Sequence, residues 1–400
     1  MEDSWILRGE NQMNSKTLIA AIAVVVVVIA AVALAFSGGD GNKGSDDTIV
    51  VTDAAGREVT VNMPVDKVAI LEPTAVEVFA GAVGDDWADH VVLLTEDIKT
   101  REASKWSILS EKYPQLKNVP LTTDLYSTGV IPAEDIISSG ATLVLVSGAT
   151  AAYIQGIDEQ IESLERTGIA VLYIEFYDKS FTDGIAERNY GIIGEIMGTT
   201  DVSDKVVTLY NEKVKYVKDT LAANPDKAKQ FTFSMEMPMD DGSYGNFVSV
   251  GTPEMILLGG TNICTAPGGA DFNWTLEKMQ EPDGDGPDYI FLVNTGYFGS
   301  KAIMGHGVTP SAEDCEKVID VCKARNGWKD LTAVKENNIA MIYGELRNSA
   351  FGLVDLYNAA MIIYPDLFDQ EDVDKLIEEI DALTPFGFSG TWIYKAGTGA

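Results

Sequence analysis

The order of its apolar segments constrains the fold of this 400-residue chain more than any other feature. Runs that are apolar on both faces, such as VAIL at 68–71 and TLVLVSG at 142–148, alternate with segments of helical periodicity. Residues 181–223 then keep helical periodicity without a strand pattern, apart from a glycine-threonine interruption near 198–200, and the alternation resumes after them. Strands buried on both faces are typical of helix-covered parallel sheets. The pattern therefore predicts an α/β protein with two Rossmann-like lobes and parallel-rich sheets, joined by one long α-helix.

A second feature predicts where the chain works. Residues 18–36 form an apolar run without charge or proline, LIAAIAVVVVVIAAVALAF, which as a helix would be about 28 Å long, close to the hydrocarbon thickness of a bilayer. Lys16 precedes the run and acidic residues follow it, so the positive-inside rule places the rest of the chain outside the cytoplasm. We expect a transmembrane helix that anchors the chain, or a signal peptide if it is cleaved after Ala35.

These patterns together predict the organisation of the chain. Met13 begins a more usual export segment than Met1, so the true start stays open between them. The expected parts are a cytoplasmic N-terminus at 1–16, the transmembrane anchor or signal at 17–36, a linker at 37–47, an N-terminal lobe at 48–180, the bridging helix at 181–223, a C-terminal lobe at 224–392 and a tail at 393–400.

Composition excludes several functions. The formal charge of −32, from 61 acidic and 29 basic residues, would repel nucleic acid. The chain has three cysteines, too few for a disulfide framework, and their redox state stays open. Two histidines leave little material for a histidine-rich metal site or for histidine-based catalysis. We therefore expect no catalytic residues, no metal ligands and no cofactor. The cysteines are Cys264, Cys315 and Cys322.

Several landmarks occur in a specific order between residues 49 and 383: the hairpin DAAGREVTV, then GVIPAEDIISSGATLVLVSG, LERTGIAVLYI, NWTLEKMQ before PDYIFLV, and GWKDLTAVKENNIAMIYG. In this order the chain resembles the extracytoplasmic solute-binding proteins of ATP-driven importers for iron chelates, haem and corrinoids, whose lobes are joined by a helix. It departs from them at Glu72-Pro73, where a serine-proline turn is usual, and in inserts such as 297–327. The resemblance implies a monomeric non-enzyme that delivers a small-molecule metal chelate to an ABC permease dimer with a cytoplasmic ATPase.

The resemblance also implies docking residues. In that family one glutamate on each lobe contacts arginines of the permease, and the matching positions here are Glu134 in IPAEDI and Glu277 in WTLEKM. Carboxylates make bidentate, charge-assisted hydrogen bonds to arginine, which would orient the lobes over the permease. Both residues lie in predicted first turns of helices, where the helix dipole by itself favours glutamate.

The expected ligand contacts lie at the carboxyl ends of the strands, because two facing parallel sheets bring those ends to a shared cleft. Aromatic and thioether side chains there offer apolar contact to a macrocycle or chelate, and an arginine could neutralise an anionic chelate. Each side chain could instead be satisfied by its neighbours. The candidates are Glu72, Tyr126, Ser147 and Tyr177 in the N-terminal lobe, and Met237, Tyr244, Asn294, Tyr297 and Arg347 in the C-terminal lobe.

The sequence thus predicts a membrane-tethered substrate-binding protein of an ABC importer, with a ferric siderophore as the favoured ligand. Corrinoid (cobalamin) or haem stays open as the ligand, as does an oxyanion such as molybdate. An alternative of another class is a secreted metal-dependent enzyme on the same scaffold, which would need acidic or histidine metal ligands in the cleft. A helical bridge, in contrast to flexible strands, predicts small lobe motion on binding.

Overall fold

A computed structural model of the chain describes the two lobes and the connector between them. The predicted cytoplasmic N-terminus, anchor and linker, residues 1–47, lie outside the described residues. Within the residues described, no helix has both the length and the apolarity needed to cross a bilayer. The described residues are 48–123, 125–148, 156–176, 179–248, 252–264, 276–280, 284–295, 302–346, 349–387 and 389–397.

The N-terminal lobe is built on a parallel sheet with the strand order β5-β4-β3-β6-β7. Every residue of β3 and β7 is buried, as expected for strands that helices cover on both faces. An antiparallel hairpin of β1 and β2 precedes the sheet. The strands are β1 (Thr48–Thr52), β2 (Glu58–Asn62), β3 (Val68–Ile70), β4 (Val91–Thr95), β5 (Leu121–Thr122), β6 (Leu143–Ser147) and β7 (Ala170–Ile174).

The helices of this lobe connect its parallel strands. The first of them is buried along its whole length and begins with Pro73, whose fixed φ suits the first turn of a helix. It ends at Gly84, which adopts the left-handed φ of +88°. The helices are α1 (Pro73–Val83), α2 (Asp97–Thr100), α3 (Ala103–Lys112), α4 (Leu125–Thr128), α5 (Ala133–Ser139) and α6 (Ile157–Glu165).

The connector between the lobes is helical but is not one uninterrupted helix. A π-helical turn, Glu187–Gly191, leads into α7 (Ile192–Met197), which ends at Gly198 with a φ of +71°. Then α8 (Thr200–Ala223) begins. A β-carbon at Gly194 would lie 2.0 Å from Ser203 Oγ, so α7 and α8 can approach this closely only with glycine there. The break lies where the sequence places its glycine-threonine interruption.

The C-terminal lobe has a second parallel-rich sheet with the order β10-β8-β11-β13-β15. The last strand, β15, pairs with β13 antiparallel, so this lobe extends beyond residue 392, the limit expected from the sequence. The short β9 pairs with β8, and β12 pairs with β14. The strands are β8 (Phe231–Met237), β9 (Asn246–Phe247), β10 (Gly260–Asn262), β11 (Tyr289–Asn294), β12 (Gly305–His306), β13 (Ile339–Tyr343), β14 (Gly390–Thr391) and β15 (Ile393–Lys395).

Two helices of the C-terminal lobe pack against the connector. Helix α8 packs against α1 of the N-terminal lobe and against α13 and α14 of the C-terminal lobe, so it contacts both lobes. The predicted α/β class with parallel-rich sheets is confirmed. The helices are α9 (Pro253–Leu257), α10 (Leu276–Gln280), α11 (Ala312–Lys323), α12 (Thr332–Lys335), α13 (Gly352–Ile363) and α14 (Gln370–Leu383).

Candidate functional site

The lobes meet near the carboxyl ends of strands in both sheets. Tyr343, the last residue of β13, donates a hydrogen bond from Oη to Glu102 Oε2 at 2.8 Å, and Glu102 directly precedes α3 of the other lobe. Ser349 Oγ, soon after β13, donates to Glu77 Oε2 at 2.5 Å. Glu77 lies on α1, which begins just beyond the carboxyl end of β3. The candidate site therefore lies where these strand ends converge.

The structure describes the side chains of two of the four candidate ligand-contact residues in the N-terminal lobe. Glu72 directly precedes α1, and Ser147 is the last residue of β6; both are partly buried at carboxyl ends of neighbouring parallel strands. Tyr126 belongs to α4, but its side chain is outside the description, and Tyr177 lies outside the described residues altogether. The ligand role of all four residues stays a prediction.

In the C-terminal lobe, Met237 and Asn294 are the last residues of β8 and β11, and both are partly buried. Asn294 Oδ1 accepts hydrogen bonds from the backbone N–H groups of Ile303 at 2.7 Å and Met304 at 3.1 Å. Asn294 thus holds the returning chain against the end of its strand. Two further candidates lie outside the described residues, Tyr297 and Arg347.

A cavity of about 210 Å³ opens beside these strand ends, between the sheet of the C-terminal lobe and α11. Its lining is mostly apolar and includes two thioethers, while Asp240 and Asn294 contribute polar groups. Such a cavity suits a ligand with an apolar portion, because burial of apolar surface is favourable and methionine adapts to irregular shapes. The apolar lining includes Met239, Leu292, Ile303, Val318, Val321 and Met341.

A buried arginine fixes the loop at one wall of this cavity. Arg325 forms a bidentate ion pair with Glu236 of β8, with distances of 2.7 and 2.9 Å. It also donates to the backbone carbonyls of Gly242 at 2.6 Å and Ser243 at 2.9 Å. These bonds clamp the loop 238–245, which contributes Met239 and Asp240 to the cavity.

Tyr244, one of the candidate ligand contacts, packs into this clamp. The Arg325 guanidinium lies 4.3 Å from the centre of its ring and 4.5 Å from that of Trp328. Trp328 Nε1 donates to Tyr244 Oη at 2.6 Å. Cation–π contacts with a desolvated guanidinium are among the stronger ones, so Tyr244 helps to hold Arg325 in place.

Between the lobes lies a buried group of charges. Lys105 Nζ is 2.5 Å from Glu77 Oε1 and 3.4 Å from Glu102 Oε2, and all three side chains are almost inaccessible to solvent. His306 Nε2, on β12 of the other lobe, lies 3.6 Å from Glu77 Oε1. We call Glu77, Glu102 and Lys105, with the hydroxyls of Tyr343 and Ser349, the inter-lobe network.

Glu77 and Lys105 of this network hold each other ionised. Burial raises the pKa of Glu77, but Lys105 and His306 outweigh burial, so the pKa lies below its usual value. Burial likewise lowers the pKa of Lys105, but Glu102 and Glu77 outweigh it, and the pKa is raised. Burial, with nearby carboxylates, raises the pKa of Tyr343 well above its ordinary range, which keeps its hydroxyl a donor.

This network is not among the sites predicted from the sequence. One signal was present, since Glu77 is the only charged residue in the helical stretch PTAVEVFAGAV. Such a residue needs a buried partner. The partners carry no comparable signal, because Glu102 and Lys105 lie in a polar stretch that is indistinguishable from a solvated helix face.

The pH dependence of stability tests the ionisation of Glu77. Its pKa is lower in the folded chain than the ordinary 4.5, so the unfolded chain binds more protons near that pH. The stabilisation is present above the ordinary pKa of 4.5 and is lost as the pH falls through the lower pKa of the folded chain. We expect Glu77→Gln to be less stable at pH 7 and to lose less stability than the wild type between pH 5 and 3, measured by urea unfolding. Equal losses in both proteins would contradict this assignment.

The candidate docking residues differ in what the structure describes. Glu134 lies in the first turn of α5 and is exposed, between Val130 and Ile137, whose exposed fractions are 55% and 51%. Glu277 belongs to α10, but its side chain is outside the description. Docking stays a prediction for both residues.

The cysteines and the possible metal ligands among the described residues form no further site. All three cysteines are buried free thiols, and burial raises the pKa of Cys315 and Cys322 to about 11, which keeps them unreactive at neutral pH. Among the residues that the structure describes, no group of three or more His, Cys, Asp or Glu side chains is placed to hold a metal ion.

No family model and no curated protein matches the chain. Solved structures do match it. The TroA-like periplasmic binding protein FepB from Veillonella parvula is similar over 87% of this chain and 99% of its own, with 19% identity and a TM-score of 0.71. The molybdate periplasmic binding protein MolA from Haemophilus influenzae covers 86% of this chain and 100% of its own, with 17% identity and a TM-score of 0.61.

CeuE from Helicobacter pylori is also similar, over 86% of this chain and 97% of its own, with 12% identity and a TM-score of 0.59. These similarities span nearly the whole of each solved protein, so they include both lobes. The predicted resemblance to this class is confirmed at the level of structure. The chain therefore has the two-lobe α/β fold of periplasmic solute-binding proteins.

Proposed function

We propose that this protein is the extracytoplasmic solute-binding component of an ATP-driven importer. The observation that carries the proposal is the meeting of strand ends from both sheets in a fold that matches FepB over 99% of its length. Ligands of open α/β sheets bind beyond the carboxyl ends of the strands. A protein of this kind captures its solute and delivers it, without covalent chemistry.

The proposed solute is a metal chelate, with a ferric siderophore first. The apolar cavity with Met239 and Met341 suits the organic part of a chelate. The similar structures include MolA bound to molybdate and CeuE in a complex with nickel and histidine, both small metal-containing solutes. Corrinoid or haem is the alternative ligand of the same kind, and an oxyanion is the third.

Titration calorimetry of the detergent-solubilised full chain tests this proposal. The panel contains a ferric hydroxamate, a ferric catecholate, cobalamin, haem and molybdate. We expect one ferric chelate to saturate at 1:1 with a Kd of about 1 μM or tighter. Saturation by cobalamin, haem or molybdate alone would replace the siderophore with that ligand. Absence of saturable binding to any member would overturn capture of a metal-containing solute, and turnover without stoichiometric binding would favour the enzyme alternative.

The cavity of the C-terminal lobe yields a sharper prediction. Met239→Ser removes a thioether from its lining and is expected to weaken binding of the identified chelate by about 10-fold, because a lost apolar contact of this size costs that much. The control is Ile256→Ser, which alters a more exposed apolar side chain of the same lobe. Equal affinities of Met239→Ser and the control would place the ligand elsewhere.

We further propose that residues 17–36 tether the protein to the membrane and that it docks on a permease dimer coupled to a cytoplasmic ATPase. Glu134 and Glu277 would each accept hydrogen bonds from permease arginines. The exposed position of Glu134 supports this role, and the apolar Val130 and Ile137 beside it offer further contact area.

Docking is tested with the reconstituted permease and ATPase. Glu134→Ala with Glu277→Ala is expected to weaken the complex by about 10-fold or more, since each substitution leaves permease arginines without a partner. The matched control is Glu159→Ala, which removes another exposed glutamate, from the first turn of α6. ATPase stimulation at graded concentrations of the binding protein is the measurement. Equal stimulation by the double variant and the control would refute the assigned docking role.

A further inference from the structure

The inter-lobe network divides into two parts with different origins. Glu77, Glu102 and Lys105 belong to the N-terminal lobe, with exposed fractions of 1%, 3% and 2%. Tyr343 and Ser349 belong to the C-terminal lobe and are also buried. Each hydroxyl donates to a different carboxylate. The lobes are thus joined by two charge-assisted hydrogen bonds, which are stronger than neutral ones.

Separation of the lobes would affect the two parts differently. Lys105 would stay with both carboxylates, because all three groups move with the N-terminal lobe. The carboxylates would lose the hydroxyls of Tyr343 and Ser349, and these bonds exist only while the lobes are in contact. The two hydroxyls therefore report and stabilise the arrangement of the lobes, while Lys105 stays paired with both carboxylates.

The two bonds also restrict rotation. Glu77 lies within α1, whereas Glu102 directly precedes α3, so the C-terminal lobe is attached to separate elements of its partner lobe. A single attachment would permit rotation about itself, and a second attachment on another element resists it. The connector adds support nearby, because the backbone N–H of Ala350 donates to Tyr190 Oη at 2.9 Å.

We propose that the inter-lobe network sets the angle between the two lobes, with Tyr343 and Ser349 as its positioning residues. The network then adds to the connector in limiting lobe motion. This inference deepens the proposed function, because a cleft that captures a rigid chelate needs walls at a defined angle. Only the link to chelate capture rests on the proposed function. The angle between the lobes is a property of the free protein and can be measured without a ligand.

Spin-label distances between the lobes test the inference in the free protein. Cysteines introduced at the exposed positions Glu159 on α6 and Lys317 on α11 carry the labels, while the native thiols are buried. The wild type is expected to give a narrow distribution. In Tyr343→Phe with Ser349→Ala, each lost bond should raise the population of other lobe angles by about 10-fold or more, which broadens or shifts the distribution.

The matched control is Tyr364→Phe, since the Tyr364 hydroxyl lies within hydrogen-bond distance of the carbonyls of Lys229 and Leu258, both in the same lobe as Tyr364. An unchanged distribution in the double variant, or equal broadening in the control, would overturn the inference. The two single variants carry the same test if the double variant does not fold. The spin-label measurement uses the free protein, so it does not depend on whether any chelate binds. The proposed lobe angle and the proposed function can therefore fail independently.

Discussion

Replacement of Lys105 by methionine is expected to lower the free energy of unfolding by about 3–5 kcal/mol, the usual effect of removing one partner from a buried ion pair. The substitution leaves Glu77 and Glu102 buried without the ammonium that lies 2.5 and 3.4 Å from them. Methionine fills a similar volume, so loss of charge dominates over loss of packing. Urea unfolding at pH 7, followed by circular dichroism, measures the change.

The control for this prediction is Lys215→Met. Lys215 also pairs with a carboxylate, that of Asp219, one helical turn away, but both side chains are more than 60% exposed. Exposed pairs of this spacing contribute about 0.3–0.5 kcal/mol. Adding Glu77→Gln to the Lys105 variant should recover part of the loss, because it removes one uncompensated charge. Similar small effects at Lys105 and Lys215 would show that the buried charges are not stabilised as we describe.

Replacement of Arg325 by methionine is expected to have an effect of similar size, about 3–5 kcal/mol, since Glu236 would stay fully buried without its partner. Arg325→Lys should recover less than half of that loss. Lysine cannot make the bidentate pair, bind the carbonyls of Gly242 and Ser243, and pack between two aromatic rings at the same time. Urea unfolding again measures both variants.

Arg166→Met provides the control, because Arg166 is exposed and its Nε donates to the backbone carbonyl of Glu162, one turn back along the chain. A stability loss in Arg325→Met no larger than in this control would contradict the proposed role of Arg325 in pairing with Glu236 and holding the loop 238–245. The clamp also holds the loop 238–245 against the cavity, so Arg325→Lys should weaken ligand binding even where it remains folded.

The central strands could be predicted from the sequence because burial on both faces leaves a clear pattern. VAIL and TLVLVSG correspond to β3 and β6, and both lie in the middle of the sheet of the N-terminal lobe. The break in the connector has a sequence signal, the glycine-threonine interruption near Gly198, although the prediction was one long α-helix. These features depend on local sequence, which a single chain shows directly.

The short strands could not be predicted in the same way. β12 and β14 have two residues each, too few to show alternation, and they form because distant parts of the chain meet. The candidate site has the same limitation. Strand ends such as Met237 and Asn294 could be identified from the sequence, whereas the pairing of Glu77 with Ser349 depends on how two lobes fit together, which no local pattern records.

The antiparallel β15 has a consequence for the order in which the chain can fold during synthesis. All the strands that the structure places in the first sheet precede residue 175, so that sheet can assemble while the ribosome is still making the remainder. The second sheet must wait for β15 at Ile393–Lys395 to cover the edge of β13. Until β15 has been translated, the edge of β13 stays open to other chains, so a nascent polypeptide needs protection there.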